Sequence, residues 1–430
     1  MGASTHPTMT DCNPSSKSET PPTINFVGKA MNDAVKRLDV PGAEARLMRY
    51  LEVEGVTGRE GAIAAVIVDD LKSLGVPESA IRFDGANERI PLPTETGNLI
   101  VTLPGTMGGE RIAFSTHLDT VPLCAGAKPR REGDRITTDG STALGGDNRT
   151  GCAVLVTLVE TLLKHEIPHP PLTLLFTVRE ESGLQGAREF ATADLGGAAM
   201  CFNFDGKLAS DLVIGAVAQE GWQAEIIGKA AHAGVAPEKG ISATLVGAIA
   251  LTEVKRAGWF GKIKKPEGYG TSNVGVFGGK PGCPAGDATN VVTDYVKLIG
   301  EARSPEAGFA AAIAAAYSEA FAKAQQEVTD VDGAMAEVTF TSKPSYPSFK
   351  LSEESPAVAR GKRAVESLGL TPTTKFSNGG LDANWFVNHG MPTVTFGAGQ
   401  YEIHTVKEYV DLAEFAQGCR VAIALATLEN

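Results

Sequence analysis

Apolar residues recur along this chain with two alternating periods. In residues 30–53 and 59–75 they are spaced by three and four, which predicts amphipathic helices, and Gly75 is a typical helix end. Residues 150–166 and the segment after residue 190 are also predicted as helices. Short apolar runs between the helices predict strands at residues 98–104, 111–121, 171–180 and 198–205. Strands that alternate with helices indicate an α/β sheet with helices on both faces.

The pattern changes after about residue 217. The amphipathic run at residues 220–230 and three later runs predict four strands, at residues 220–230, 271–279, 289–304 and 334–343. Two helices are predicted among them, at residues 242–258 and in the alanine-rich stretch 305–327. A segment of this size with largely antiparallel edges suits a small α+β sandwich.

The end of the chain returns to the first pattern, with a helix predicted at residues 354–369, a strand at 391–397 and a helix at 412–429. We therefore predict one α/β domain interrupted by an inserted lid domain. The predicted parts are a disordered tail at 1–23, the first part of the α/β domain at 24–217, the α+β lid at 218–343 and the second part at 344–430.

Composition excludes several classes of function. The net charge of −12 and the lack of a lysine- or arginine-rich run argue against a nucleic-acid partner. No apolar run approaches the ~18 residues that a membrane span requires. The start of the chain does not resemble a signal peptide, and the six cysteines are scattered without a CxxC pair. These features predict free thiols and a cytoplasmic location.

Candidate chemistry lies in five short motifs, each of which also has a structural explanation. His117 and Asp119 lie two apart at a strand end, Asp147 follows a Gly-Gly turn before a helix, and Glu180 and Glu181 end a strand. Further along, Asp205 ends a central strand, and a glycine-rich turn after the last strand leads to His404. Taken singly, these are an ordinary polar pair, an N-cap, a surface acidic pair, a strand-end acid and a loop histidine.

The joint order of the motifs favours a metal centre. Two histidines and three acidic positions each follow a predicted strand, and ligands of open α/β sheets bind at the carboxyl ends of the strands. Histidine and carboxylate suit zinc, and a bridging carboxylate suits a two-metal site.

The same motifs resemble the di-zinc metallopeptidase family of aminoacylases, carboxypeptidases and peptidase T. They read THLDT, GGDN, EESG, FDG and IHT in this order, and residues 228–243, 287–294 and 300–304 are most similar to the peptidase T branch. The resemblance covers residues 28–430. It implies a zinc-peptidase-type catalytic domain, with a mixed, mainly parallel sheet flanked by helices, and an inserted α+β lid that forms a homodimer.

The resemblance also implies a role for each motif residue. His117 and Asp205 would bind one Zn²⁺, Glu181 and His404 the other, and Asp147 would bridge the two. Asp119 would orient His117, and Glu180 would be the general base for a metal-bound hydroxide. Other divalent metals such as Co²⁺ or Mn²⁺ are compatible with this ligand set.

Substrate-binding positions are implied in the lid and in a late loop. His232 is similar to a family histidine that donates a hydrogen bond to the developing oxyanion, often across a dimer interface. Asn290 and Arg303 match lid positions that hold the substrate's backbone or carboxylate. Gly379, Gly380 and Asp382 align with the family's glycine-rich substrate loop, in which Asn378 replaces a frequent arginine.

The implied function is hydrolysis of short peptides by a tripeptidase-like aminopeptidase. An N-acyl amino acid deacylase or a carboxypeptidase with the same metal centre is the alternative from the residues alone. A non-catalytic peptide-binding protein is disfavoured because Glu180 and all five proposed ligands are present.

Overall fold

The computed structural model describes residues 33–428, so the predicted tail at 1–23 lies outside the described residues. The strands in chain order are β1 (Ile81–Phe83), β2 (Leu99–Leu103), β3 (Ile112–His117), β4 (Arg130–Glu132), β5 (Arg135–Thr137), β6 (Leu172–Thr177), β7 (Met200–Phe204), β8 (Asp211–Ala216), β9 (Ala218–Ile227), β10 (Gly261–Lys265), β11 (Gly268–Gly278), β12 (Tyr295–Ser304), β13 (Glu337–Tyr346), β14 (Phe349–Lys350), β15 (Thr373–Ser377), β16 (Thr393–Phe396), β17 (Gln400–Tyr401) and β18 (Tyr409–Asp411). The α-helices are α1 (Val40–Leu51), α2 (Gly61–Ser73), α3 (Ala86–Arg89), α4 (Gly146–Lys164), α5 (Gln185–Glu189), α6 (Ala243–Arg256), α7 (Phe309–Glu327), α8 (Pro356–Ser367), α9 (Ala383–Asn388) and α10 (Leu412–Thr427).

The main sheet has nine strands in the order β1-β2-β6-β3-β7-β16-β8-β14, with β15 also paired to β8. Its centre, β6-β3-β7-β16, is parallel, whereas β2 and β8 join that centre by antiparallel pairing. Central strands such as β3 and β6 are buried along their whole length, as expected when helices cover both faces. The predicted mixed α/β sheet is confirmed.

A second sheet, entirely antiparallel, has the order β10-β11-β12-β9-β13. Helices α6 and α7 pack against it around a separate apolar core. At the centre of this core, the ring of Trp222 lies 4.5 Å from that of Tyr317 and 5.6 Å from that of Phe340. This arrangement agrees with the predicted α+β lid, while the exact domain boundaries stay predictions.

One predicted helix proved to be two pieces. Residues 33–35 form a helical turn, and α1 begins only at Val40. The break has a local cause, because Asp39 caps α1 by accepting a hydrogen bond from the Gly42 N–H. Pro41, which cannot donate to a preceding turn, lies in the first turn of α1.

Several other helices and strands differ from the prediction. The alanine-rich helix begins at Phe309 instead of residue 305, and the segment after residue 190 holds only a 3₁₀ turn at Thr192–Leu195. Strands β8 and β15 and a small sheet of β17-β18-β5-β4 were not predicted. These strands are two to six residues long, too short to show a clear period.

None of the helices within residues 33–428 combines the length and the apolar character needed to cross a bilayer.

A cluster of ion pairs joins α1, α2 and α4. Arg46, 8% exposed, donates to Thr157 and Glu160 at 2.7 Å each, while Arg49 and Tyr50 donate to Asp70 at 2.7–3.0 Å. Burial alone would raise the pKa of Asp70, but the hydrogen bonds from Arg49 and Tyr50 outweigh burial and lower it. Because the folded pKa is the lower one, this stabilisation is present above the unfolded value of about 3.9 and is lost as the pH falls.

We therefore expect Asp70→Asn to lower the free energy of unfolding by about 1–3 kcal/mol at neutral pH, since charged and buried donors lose an ionised acceptor. The difference from the wild type should shrink as the pH falls below about 4, the pKa of Asp70 in the unfolded chain, towards its lower pKa in the folded protein. Urea unfolding at several pH values measures both effects. The control is Glu78→Gln, because the Glu78 carboxylate pairs with Lys72 on the surface with 85% of its side chain exposed. An equal loss in both variants would contradict the assignment.

Candidate metal centre

The parallel centre of the main sheet brings the predicted residues to one edge. His117 is the last residue of β3, Glu180 and Glu181 follow β6, and Asp205 follows β7 directly. His404 follows β16 and β17. Since β6, β3, β7 and β16 are parallel neighbours, their carboxyl ends share one edge of the sheet, where open α/β sheets bind ligands.

Asp147 lies between the two histidines and faces each with a different oxygen. Its Oδ1 is 3.1 Å from Nε2 of His117, and its Oδ2 is 3.2 Å from Nε2 of His404. The candidate ligands form three groups. Asp147 belongs to two of them, one with His117 and Asp205 and one with Glu181 and His404, while the third joins His117 to Glu180 and Glu181. In each group the candidate ligand atoms lie within 4.8 Å of one another.

The turn that carries Asp147 is held from below by two buried polar side chains. Glu408, 2% exposed, accepts hydrogen bonds from the N–H groups of Leu144, Gly145 and Asp147 at 2.8–3.0 Å. Asp147 and Asn148 have non-helical backbone angles at the start of α4, and their peptide bond is cis. The side chain of Gln400 donates to Asn148 Oδ1 at 2.8 Å. These contacts fix the direction of the Asp147 carboxylate.

Asp119 contacts the His117 ring, which it is predicted to orient, and also the turn that carries the acidic pair. Nδ1 of His117 lies 3.0 Å from the main-chain oxygen of Asp119 and 3.4 Å from its Oδ1. The carboxylate oxygens also accept hydrogen bonds from the N–H groups of Glu180 at 3.0 Å and Glu181 at 3.1 Å. Asp119 therefore contacts both the His117 ring and the backbone of the acidic pair.

The electrostatics of the cluster favour a bound cation. Burial, and secondarily the neighbouring carboxylates, raise the pKa of Glu181 to about 7 and the pKa of Asp205 well above its ordinary value. Burial also raises the pKa of Glu180 well above its usual range. Hydrogen bonds that His404 donates to the carboxylates of Asp147 and Glu181 raise its pKa to about 10. The proton on His404 supplies part of the positive charge that the carboxylates need. A divalent cation supplies such charge directly and keeps the carboxylates ionised.

The donor set fits a pair of divalent ions. Each group offers one imidazole nitrogen and carboxylate oxygens, which zinc accepts in structural and catalytic sites. Asp147 belongs to two groups and directs one oxygen towards His117 and the other towards His404, as a bridging carboxylate needs.

A cleft of about 840 Å³ opens onto this cluster. Glu180, Glu181, Asp205 and His404 line it together with Arg303, Gly379 and Gly380, so it joins the main sheet edge to the lid and to the glycine-rich loop. Arg303 is paired within the lid, where its guanidinium donates to both oxygens of Glu301 at 2.9–3.0 Å.

Three of the predicted substrate-binding residues do not line the cleft. Asp382 is buried beneath the cluster, where its carboxylate accepts a hydrogen bond from the Thr177 hydroxyl, and burial raises its pKa to about 6. His232 and Asn290 are exposed on the lid and lie close together: the Asn290 oxygen accepts a hydrogen bond from Ala233, the residue after His232.

Several side chains that contact the site were not predicted. Tyr346, 5% exposed, lines the cleft with its ring against Gly380, where a Cβ atom would lie 2.5 Å from the Tyr346 Cζ. Lys207 and Lys375 add positive charge to the cleft, and Glu408 and Gln400 support Asp147. Lys207, Gln400 and Glu408 lie within four residues of Asp205 or His404 in the sequence, but their spacing does not indicate these contacts.

Comparison with known proteins indicates one family. Residues 113–428 match the family model described as peptidase family M20/M25/M40. The crystal structure of the aminopeptidase PepT from Bacillus cereus ATCC 10987 is 33% identical, covers 91% of this chain and 99% of its own, and has a TM-score of 0.78. A tripeptidase structure from Staphylococcus aureus is 27% identical over 91% of this chain and 98% of its own, with a TM-score of 0.81.

Curated relatives give the same grouping. The uncharacterized protein YqjE of Bacillus subtilis (strain 168) is 32% identical over 385 residues, covering 88% of this chain and 95% of the relative. Seven further relatives, 22–27% identical, are named Peptidase T. The chain belongs to peptidase family M20/M25/M40, and within it to the peptidase T-like branch.

Proposed function

We propose that this peptidase is a di-zinc aminopeptidase that removes the N-terminal residue from short peptides, tripeptides in particular. One observation carries the proposal. Two groups of candidate ligands share Asp147 beside a cleft, and the carboxylate of Glu180, which forms a third group with His117 and Glu181, lies next to them and would serve as the base. The similarity to an aminopeptidase and to a tripeptidase supports the substrate class.

In this proposal His117 and Asp205 would hold one ion, Glu181 and His404 would hold the other, and Asp147 would contribute to both. When bound, the ions lower the pKa of a water molecule and polarise the carbonyl of the scissile amide. Glu180 takes a proton from the attacking water at its carboxylate, and later delivers that proton to the nitrogen of the leaving amine. The water oxygen thus ends on the carbonyl carbon as the C–N bond breaks.

The rest of the cleft would bind the peptide. Arg303, Tyr346 and the backbone of Gly379 and Gly380 present polar groups to a substrate that reaches from the sheet edge to the lid. We propose that they hold its backbone or terminal carboxylate, a group that an arginine recognises well. Asp382, buried below Thr177, would act only through the residues above it.

His232 and Asn290 enter the proposal through a second copy of the chain. Both are exposed and neither lines the cleft of its own chain. We propose a homodimer formed through the lid, in which these residues complete the partner's site and His232 stabilises the developing oxyanion. A cytoplasmic location remains a prediction.

Removing the proposed base tests the proposal. We expect Glu180→Gln to lower kcat for tripeptides by about 10²–10⁴-fold, because the amide cannot accept the proton of water. Bound metal, measured by emission spectroscopy, should stay at about two ions per chain. Glu319→Gln, an exposed carboxylate on α7, is the matched control and should leave kcat unchanged.

The substrates tested should include N-acyl amino acids and C-terminally blocked peptides as well as free-amine tripeptides. Cleavage of N-acyl amino acids with no cleavage of free-amine tripeptides would contradict the aminopeptidase assignment. It would identify the chain as a deacylase with the same centre.

The ligand assignment predicts distinct losses of metal. A chelator should abolish hydrolysis, and added Zn²⁺ should restore it. His117→Ala and His404→Ala should each bind about one ion fewer than the wild type, since each removes a ligand of a different group. Equilibrium dialysis against Zn²⁺ gives the count. His169→Ala, a buried histidine that contacts the Pro170 oxygen, should retain both ions. Unchanged metal content in both ligand variants would contradict the assignment.

A shared site predicts complementation between inactive chains. His232→Ala and Glu180→Ala proteins should each be nearly inactive alone. After mixing and subunit exchange, roughly a quarter of the wild-type activity should return, because half of the dimers are mixed and each mixed dimer has one intact site. Absence of any recovery, with exchange verified by mass spectrometry, would show that His232 does not act across an interface.

A further inference from the structure

Glu60 is a buried carboxylate that the proposed chemistry does not use. It is 0% exposed and precedes α2, on a different element from every candidate ligand. Its Oε1 accepts hydrogen bonds from two backbone N–H groups, those of Gly58 at 2.7 Å and Arg179 at 3.1 Å. Its Oε2 is buried without a hydrogen-bond partner among the described residues. Burying a carboxylate with one oxygen unpaired lowers the stability of the fold. The presence of Glu60 at this position therefore suggests a role, and its bond to Arg179 indicates which one.

Arg179, which donates its N–H to Glu60, begins the turn that carries Glu180 and Glu181. Arg179 has a positive φ of 52°, which is unfavourable for a residue with a Cβ atom and requires support from its surroundings. The Arg179 side chain provides part of that support, because it donates to Thr94 Oγ1 at 2.7 Å, to Ser182 Oγ at 3.2 Å and to the Pro93 oxygen. Glu60 supports the Arg179 backbone by accepting a hydrogen bond from its N–H.

Three consecutive N–H groups of this turn donate to buried carboxylates. Arg179 donates to Glu60, Glu180 to Asp119 Oδ1 and Glu181 to Asp119 Oδ2. The directions of the Glu180 and Glu181 side chains follow from the orientation of these peptide groups. A shift of Arg179 would therefore move the proposed base and a proposed ligand together.

We propose that Glu60 is a positioning residue for the reaction: it sets the turn at residues 179–181 and thereby aims Glu180 at the water and Glu181 at the metal. This inference rests on the proposed function. The proposed role depends on the length of the Glu60 side chain and on its acceptor oxygen. It does not depend on the charge, because both hydrogen bonds come from backbone N–H groups.

Two conservative substitutions separate geometry from charge. Glu60→Gln keeps the side-chain length and an acceptor oxygen but removes the charge. Glu60→Asp keeps the charge but withdraws the acceptor by one methylene group. We expect Glu60→Asp to lower kcat for a tripeptide by about 10–100-fold with little change in KM, because misplaced catalytic groups affect the transition state most. Glu60→Gln should retain most of the wild-type kcat.

A second readout does not depend on catalysis. Calorimetric titration of Zn²⁺ into metal-depleted protein should show one of the two ions bound about 10–100-fold more weakly in Glu60→Asp than in the wild type, because Glu181 lies on the same turn. Glu60→Gln should bind both ions as the wild type does. If the wild type hydrolyses no peptide, the function proposal fails while this titration still tests the role of Glu60.

Asp330→Ala is the matched control. Asp330, 5% exposed, accepts hydrogen bonds from two backbone N–H groups in a lid loop, those of Asp332 at 3.0 Å and Ala334 at 2.9 Å. Its loss should lower the melting temperature without changing kcat or Zn²⁺ affinity. Wild-type kcat and Zn²⁺ affinity in Glu60→Asp, or losses in Glu60→Gln equal to those in Glu60→Asp, would overturn the proposal.

Discussion

Repulsion among carboxylates removed from water is the constraint on which the rest of this structure depends. Asp147, Glu180, Glu181 and Asp205 meet in one cleft, and burial together with their neighbours raises the pKa of three of them. A protein keeps such a cluster only if positive charge compensates it. Two histidines at the same edge give nitrogen ligands, so the arrangement suits divalent cations far better than an ordinary salt-bridge network.

The fold holds this unfavourable cluster in place by means of its parallel strands and a layer of buried acceptors. Strands β3, β6 and β7 deliver their carboxyl ends to one edge, but the turns beyond them require further support. Asp119 and Glu60 hold the turn after β6, and Glu408 holds the turn before α4. Each accepts backbone N–H groups, so the rigid scaffold fixes the backbone and the backbone fixes the ligands.

Much of the fold and of the centre could be predicted from the sequence because long apolar periods and strand-end motifs are local signals. His117, Asp147 and Asp205 each follow or precede a strongly patterned element, and the parallel sheet brings them together. The break at Asp39 was missed because an apolar period does not show where a cap interrupts a helix. Supporting residues such as Glu60 and Glu408 could not be predicted, since their partners are backbone groups of turns about 120 and 260 residues away.

The positions of the lid residues relative to the cleft could not be predicted from the sequence. Arg303 lies in the cleft, whereas His232 and Asn290 lie outside it, and no spacing in the sequence distinguishes the two cases. Which lid residues reach a substrate depends on how the lid is placed relative to the sheet edge and, in the proposed homodimer, on a second copy of the chain. Local patterns carry no information about either.

Anomalous diffraction at the zinc absorption edge from crystals of the zinc-loaded protein tests the central claim most directly. The account predicts two peaks about 3.5–4 Å apart. One should lie between His117 and Asp205, the other between Glu181 and His404, and an oxygen of Asp147 should contact each. A single peak, or peaks away from these side chains, would contradict the account.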